Sequence, residues 1–323
     1  MAALGYVPSS AARTMRTNRT GLVGLVGGAI SGHSAEGGAS GLPDLQIVRG
    51  IQTGLAEVGI TLLISDTAGD PGRIPALVRT LRQHRVEGLF YVADHHLEIA
   101  LPDTARAVPL VLVNAFDAEG DPCVLPDDED GQYTLTRALL ERGHRRIAYL
   151  SLPQTLVAHR LRLEGYRRAL CEAGIGFDPR LIADADRGGR PGERALMQAE
   201  IERLLGLDTP PTVLCCGNDR LAVTAYGILR ARGTAVPEDM SVAGYDDYRV
   251  ISETLYPRLT TVELPYTRMG EAAARMMLGR LRGGAAAEET RIVVRGELRW
   301  RDSVIDGPAG TEQAEQQANH WRN

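Results

Sequence analysis

The stretch TVLCCGNDRLAVTAYGILRARGTAVPEDMSVAGYDD occupies residues 212–247. It opens on TVLCC (212–216), an unbroken apolar run of the kind that suits a strand buried on both faces. An Asn-Asp pair follows Gly217, where a helix would be capped, and apolar residues then recur at helical spacing to about residue 232. A glycine and the turn VPED (236–239) end that helix, and MSVAGY (240–245) is a second apolar strand. Strand, helix and strand in close succession form the repeating unit of a parallel sheet, because parallel neighbours need a crossover.

The same alternation extends in both directions. Upstream lie RIAYLS (146–151), a helix near 158–173 ending at Gly174, LIADAD (181–186) and a helix near 192–205. Further upstream an earlier series begins with LVGLVGG (22–28). It continues through a helix marked by Leu45, Val48, Ile51, Leu55 and Val58, then TLLIS (61–65). A helix marked by Ile74, Leu77, Val78 and Leu81 follows, then GLFYVA (88–93), PLVLVN (109–114) and a helix over 128–143. Downstream come a helix over 265–283 and a strand over 291–298. Two series of this length predict an α/β protein with two doubly wound parallel-sheet lobes. The polar stretch 305–323, with repeated Gln and Ala, reads as a disordered tail.

A chain of 323 residues, 44% hydrophobic, can bury the cores of two lobes. Its net charge of -5 excludes a body that is broadly a nucleic-acid surface, so any DNA contact must come from a local patch. All 36 basic residues are arginine. Cys123, Cys171, Cys215 and Cys216 have no metal-binding or redox spacing, which fits a reduced, cytoplasmic setting. Residues 1–20 lack the apolar core of a signal peptide, and no run has the length of a membrane span. No phosphate-binding loop, Ser-His-Asp grouping or metal spacing stands out, so neither an enzyme nor a cofactor is expected. His95 and His96 read as loop residues after a strand.

Ligands of open parallel sheets sit beyond the carboxyl ends of the strands. The polar residues placed there are Asn114 after PLVLV, Asn218 and Asp219 after TVLCCG, and Asp246 and Asp247 after SVAGY. Each Asx residue has a competing role as a helix cap. Arg162 is read at the opening of the helix after RIAYLS, where the helix dipole disfavours a cation, so it invites an explanation beyond the helix itself.

The segment LGYVPSSAARTMRTNRTGLVGLV (4–26) carries a different signal. Pro8, a hydroxyl cap at Ser9 and Ser10, then Ala11 and Ala12, predict a helix of two turns with Arg13, Arg16 and Arg19 spaced by three. A helix this short is marginal alone, and its charge suits folding on an anionic partner.

Several motifs together resemble the lac repressor and galactose repressor (LacI/GalR) family of bacterial transcription regulators. They are the Leu4-Gly5-Tyr6 triplet with Pro8, RGHRRIAYL (142–150), the Arg162-x-x-Gly165-Tyr166 motif, residues 216–247 throughout, and PRLTTVELPYTRMGEAAARMML (257–278). The resemblance covers nearly all of residues 4–301. It implies a periplasmic-binding-protein-like effector core in which Arg162, Asn218 and Asp246 contact ligand hydroxyls or a carboxylate and Asn114 assists. It also implies a hinge (1–20) lying in the DNA minor groove through Ser9, Ser10, Ala11, Ala12, Arg13, Met15 and Arg16. Met15 takes the place of the family's usual leucine wedge.

By the same resemblance, one lobe comprises 21–151 plus 262–284 and the other 152–261 plus 285–304. The partners implied are a small-molecule effector, most simply a sugar, operator DNA, and a second copy in a homodimer, with no membrane. The family's helix-turn-helix headpiece would precede the hinge, so the chain starting at Met1 is expected to be a core without its major-groove reader. The loops 29–46 and 184–193 lack the aromatics that many members place against a sugar ring, which leaves polyols and purine-like molecules open as effectors. The alternative is a periplasmic-type sugar-binding protein or a stand-alone ligand sensor.

Overall fold

The computed structural model describes residues 19–28, 42–186, 191–283 and 289–308. They divide into two compact units. Unit 1 contains β1 (Leu22–Gly27), α1 (Leu42–Ala56), β2 (Thr61–Asp66), α2 (Ile74–Gln83), β3 (Leu89–Glu98), β4 (Leu110–Phe116) and β5 (Cys123–Pro126). The chain returns to this unit for α8 (Tyr266–Arg282) and β11 (Arg291–Val294). Unit 2 contains α3 (Asp128–Glu141), β6 (Ile147–Ser151), α4 (Val157–Glu172), β7 (Ile182–Asp184), α5 (Glu193–Leu205), β8 (Val213–Cys216), α6 (Asp219–Ala231), β9 (Ser241–Asp246), α7 (Arg249–Ser252), β10 (Thr260–Glu263) and β12 (Leu298–Arg299).

Each unit is built on a six-stranded sheet, in the orders β11-β5-β4-β3-β1-β2 and β12-β10-β9-β8-β6-β7. Parallel pairs dominate, as in β1 with β2 and β6 with β8, and β12 is antiparallel to β10. The expected α/β class with two doubly wound lobes is therefore the observed one. The apolar runs are buried on both faces: Val213, Leu214, Cys215 and Cys216 are all inaccessible to solvent. In unit 1 alternate strand residues feed two cores. Val23, Leu25, Phe90 and Val111 pack against α1 and α8, and Val26, Leu89, Tyr91 and Leu112 pack on the α2 side.

The expected division between the lobes needs correction. Residues 126–151 belong to unit 2, because β6 is an interior strand of the second sheet, flanked by β7 and β8. The first connection thus falls at 125/126 and not near Leu152. The stretch read as one strand over 291–298 is two strands in different sheets, so the last connection falls at 294/295. The sequence pattern is continuous there, which is why the break is invisible in it. The tail also begins later than expected. Val304 is buried, the Ile305 carbonyl accepts from His144 Nε2 at 2.9 Å, and Gly307 N donates to the Arg142 carbonyl at 2.8 Å. Residues 309–323 lie outside the described residues.

Both units hold one helix pair together through glycine. A Cβ on Gly270 of α8 would overlap the Ile47 carbonyl of α1 and stand 2.9 Å from Ile51 N. A Cβ on Gly165 of α4 would overlap the Glu129 carbonyl of α3 and stand 2.9 Å from Tyr133 N. The neighbours are backbone, so they cannot rotate away. Gly227 on α6 has open space around it. Gly165→Ala and Gly270→Ala should each lower the unfolding free energy by about 2–3 kcal/mol through overpacking. Gly227→Ala should raise it by roughly 0.5–1 kcal/mol through helix propensity. Urea titrations of the three variants test the contrast.

Candidate functional site

The first strand-end cluster lies in unit 2, where the start of α3, the second turn of α4, the ends of β8 and β9 and the start of α6 converge. Its centre is Arg162, only 4% exposed. Arg162 Nε donates to Asp128 Oδ1 at 2.8 Å, and Nη1 donates to the Gly217 carbonyl. The guanidinium carbon lies 3.7 Å from the centre of the Tyr245 ring, and Nη1 is 3.7 Å from Asp246 Oδ1. Among the described residues, Nη2 makes no hydrogen bond. Arg162 does not open its helix, as the sequence suggested. The helix starts five residues earlier at Val157, after an extended Leu156 without a side-chain cap. What places Arg162 is the buried carboxylate of Asp128.

Asp246 ends β9 with φ 122, a conformation that side-chain-bearing residues seldom adopt, and Asp247 follows with φ 48. Asp247 is tied down by Arg301 at 2.7 Å and by the Ser252 hydroxyl at 2.8 Å. The side chain of Asp246 keeps 29% of its surface exposed beside Arg162. Burial pushes the Asp246 carboxyl up to about 7, and Asp128 adds to the shift while Arg162 opposes it. Asp219 is fully buried at the start of α6, accepting from Thr261 Oγ1 at 2.7 Å and from Tyr248 N at 2.8 Å. Burial, with the charge of Asp246 next, holds its carboxyl well above the usual range.

Asn218 is the cap the competing reading foresaw. Its Oδ1 accepts from Leu221 N at 2.8 Å, and its amide reaches Asp186 Oδ2 at 3.4 Å. Asp186 and Glu193 in turn hold Arg220. Sequence reasoning missed Asp128, Tyr245 and Asp186. The acid run DDED at 127–130 was the available signal for Asp128, but acids at a helix start are usual for the dipole and so were uninformative.

The second cluster lies in unit 1. Asn114 does not end its strand, since β4 runs on to Phe116. It sits where the β3–β4 register shifts between Val92 and Leu97, with φ 59, only 1% exposed, and its Nδ2 donates to the Ala93 carbonyl at 3.1 Å. The extra residues of that irregularity carry Asp94 and His95, whose Oδ1 and Nδ1 are 2.7 Å apart and partly exposed. His95 and His96 are therefore strand residues and not loop residues. His96 is buried, edge-on to Phe116 at 5.7 Å.

The hinge residues Ser9, Ser10, Ala11, Ala12, Arg13, Met15 and Arg16 lie outside the described residues. Among the described residues no cluster of His, Cys, Asp and Glu could hold a metal ion, and no helix is long and apolar enough to cross a membrane.

A periplasmic binding protein-like domain family matches residues 136–304. The chain is 30% identical over 267 residues to the HTH-type transcriptional repressor PurR of Klebsiella pneumoniae (strain 342), covering 81% of this chain and 76% of that one. It belongs to the LacI family of transcriptional regulators. A solved LacI-family regulator from Rhizobium etli superposes with a TM-score of 0.77 at 30% identity, over 89% of this chain and all of that one. A solved complex of the transcriptional regulator CelR with cellobiose superposes with a TM-score of 0.71 at 29% identity, over 93% and 87%. These relatives are regulators of transcription and not enzymes.

Within this LacI-family core, two measurements probe the cluster. Arg162→Met should destabilise the protein by about 3–5 kcal/mol, because it leaves Asp128 buried and uncompensated. Adding Asp128→Leu should restore much of that loss, read by denaturant unfolding. The raised Asp246 carboxyl means the folded state holds a proton that the unfolded state, near 3.8, has released. Stability from this group is complete at low pH and is lost as pH rises towards about 7. Melting profiles of Asp246→Asn against the parent should show a shallower decline over that interval.

Proposed function

We propose that the chain is a LacI-type transcription regulator that binds an uncharged, hydroxyl-rich small molecule, most simply a sugar, and couples it to operator DNA. The observation that carries this reading is the fixed guanidinium of Arg162. Three sides of it are taken by Asp128, Gly217 and the Tyr245 ring, and its Nη1 stands 3.7 Å from the Asp246 carboxyl. A donor and an acceptor held side by side match adjacent hydroxyls, which each donate and accept. Their rigidity lowers the ordering cost of binding. Above about pH 7 the ionised Asp246 carboxylate disfavours an anionic ligand there.

Asn218 adds the second amide hydrogen that its contact with Asp186 leaves free. Asn114 is assigned a positioning role: with its amide spent on Ala93, it holds the β3–β4 irregularity that presents Asp94 and His95. The likeness to the CelR–cellobiose complex supports the choice of carbohydrate. DNA contact is assigned to residues 1–20, and a homodimer is the state in which two such arms address one operator.

Calorimetry with a panel of neutral mono- and disaccharides and polyols tests the effector class. At least one should bind, raising the melting temperature as expected for a ligand of the folded state. Arg162→Lys should lose affinity by at least about tenfold, because a lysine cannot reproduce the fork. Binding only by phosphorylated or carboxylated compounds would overturn the assignment. The DNA arm is tested by selecting duplexes from a random pool with and without the bound carbohydrate, which should change the yield of enriched sequences.

A further inference from the structure

The end of unit 1 opposite its strand carboxyl ends carries arginines with no carboxylate at ion-pair distance among the described residues. Chain direction fixes which groups share that end. β1 starts there, next to the Gly59 carbonyl, and β3 starts there just after Gly88. Helices α1 and α8 run in the same sense, because Gly50 meets Gly270 and Gly54 meets Ala274. Met277 of α8 presses on Gly88, so Arg280 and Arg282, the next residues of the helix, extend to the same end. α2 also finishes there, with Arg82 in its last turn and Arg85 just beyond it.

The arm enters at this point and is clasped by the 85–87 loop. Arg19 Nη2 lies 2.8 Å from Glu87 Oε2, Thr20 Oγ1 donates to the Arg85 carbonyl at 2.8 Å, and Gly21 N donates to Glu87 Oε1 at 2.7 Å. Among the described residues, Arg82, Arg85 and Arg282 are exposed and have no carboxylate at ion-pair distance. Unit 2 treats its arginines differently, and most of them are paired, as in Arg146–Asp178, Arg203–Glu200, Arg232–Glu202 and Arg258–Asp302. Helix dipoles account for Arg82 and Arg282 at helix ends but not for Arg85, which lies outside a helix at φ 54. Among the described residues the carboxylates at this end are Glu57, Glu289 and Glu87, and Glu87 is spent on the arm.

We propose that this base of unit 1, with Arg82, Arg85 and Arg282, is a phosphate-contact surface for DNA at the end where the arm enters through Arg19 and Thr20. Exposed guanidinium groups at this end neutralise backbone phosphates and release counterions, a contact that positions without reading sequence. The assignment rests on the DNA-binding reading above and adds a second surface to it.

The test is fluorescence anisotropy of a labelled mixed-sequence DNA duplex, titrated with the full chain over a range of salt concentrations. The triple variant R82Q/R85Q/R282Q should bind more weakly, and its log affinity against log salt should be flatter by about 2–3, near 0.9 for each phosphate released. R145Q/R194Q, which changes two exposed and unpaired arginines of unit 2, should match the parent. A triple variant with the parent's slope and affinity overturns the proposal and leaves the base to another anionic partner, such as an acidic protein. A parent that fails to bind duplex even at low salt overturns both this surface and the coupling to DNA. Carbohydrate calorimetry on the same samples reports separately on the effector site.

Discussion

The buried guanidinium of Arg162 sets the geometry of the second unit. It joins the first residue of α3, the end of β8 and the end of β9 from a position on α4. Such a pair adds little net stability, because desolvation costs about as much as attraction returns. What it gives is position. Its reach depends on α4 lying close to α3, which in turn depends on Gly165 one turn further along the same helix. A side chain there would move α4 outward and carry the guanidinium away from Asp128. Gly131 has the matching role, since a Cβ on it would overlap the Tyr245 hydroxyl, which donates to the Asp128 carbonyl at 3.4 Å. The Arg-x-x-Gly-Tyr motif is thus one physical device: a charge, the clearance that lets it arrive, and an aromatic anchor, Tyr166, stacked on Tyr149 at 5.5 Å.

Unit 1 repeats the clearance without the charge. Gly270 meets the Ile47 carbonyl and Ile51 N, four residues apart on one turn, just as Gly165 meets Glu129 and Tyr133. Three residues before Gly270 stands Thr267, where α4 has its arginine. The same helix packing therefore serves an apolar core in one unit and a charged site in the other. In unit 1 the polar strand-end groups come instead from the β3–β4 irregularity, held by Asn114 in a left-handed conformation.

The alternation of apolar runs and helical spacings was legible because strands buried on both faces and helices packed on them leave two distinct periods. The short strand Cys123–Pro126 was not, since four residues give no period. Its omission displaced the boundary between the units by a full helix and strand. Arg162, Asn218 and Asp246 were legible as strand-end and motif residues. Their partners were not, because Asp128 and Tyr245 come together with Arg162 only through helix packing and sheet order. Asn114 was found for its position but misjudged in its role, since no local pattern reveals that the strand opposite it shifts register there.

A net charge of -5 hides how the chain sorts its charges. In a parallel sheet with returning helices, helix starts gather at the strand ends and helix ends at the strand beginnings, so the two faces differ in dipole sign. Acids at the first and arginines at the second each gain about 0.3–1 kcal/mol. That preference explains Asp130 of α3 or Arg82 of α2, which are inexpensive surface groups. It does not explain Asp128, Asp219 and Asp246. The caps at those helix starts are already supplied by Asp127 and Asn218, and burying further carboxylates costs more than a dipole returns. That cost is concentrated around one fixed arginine and a residue held at φ 122, and it is this concentration that the proposed effector site draws on.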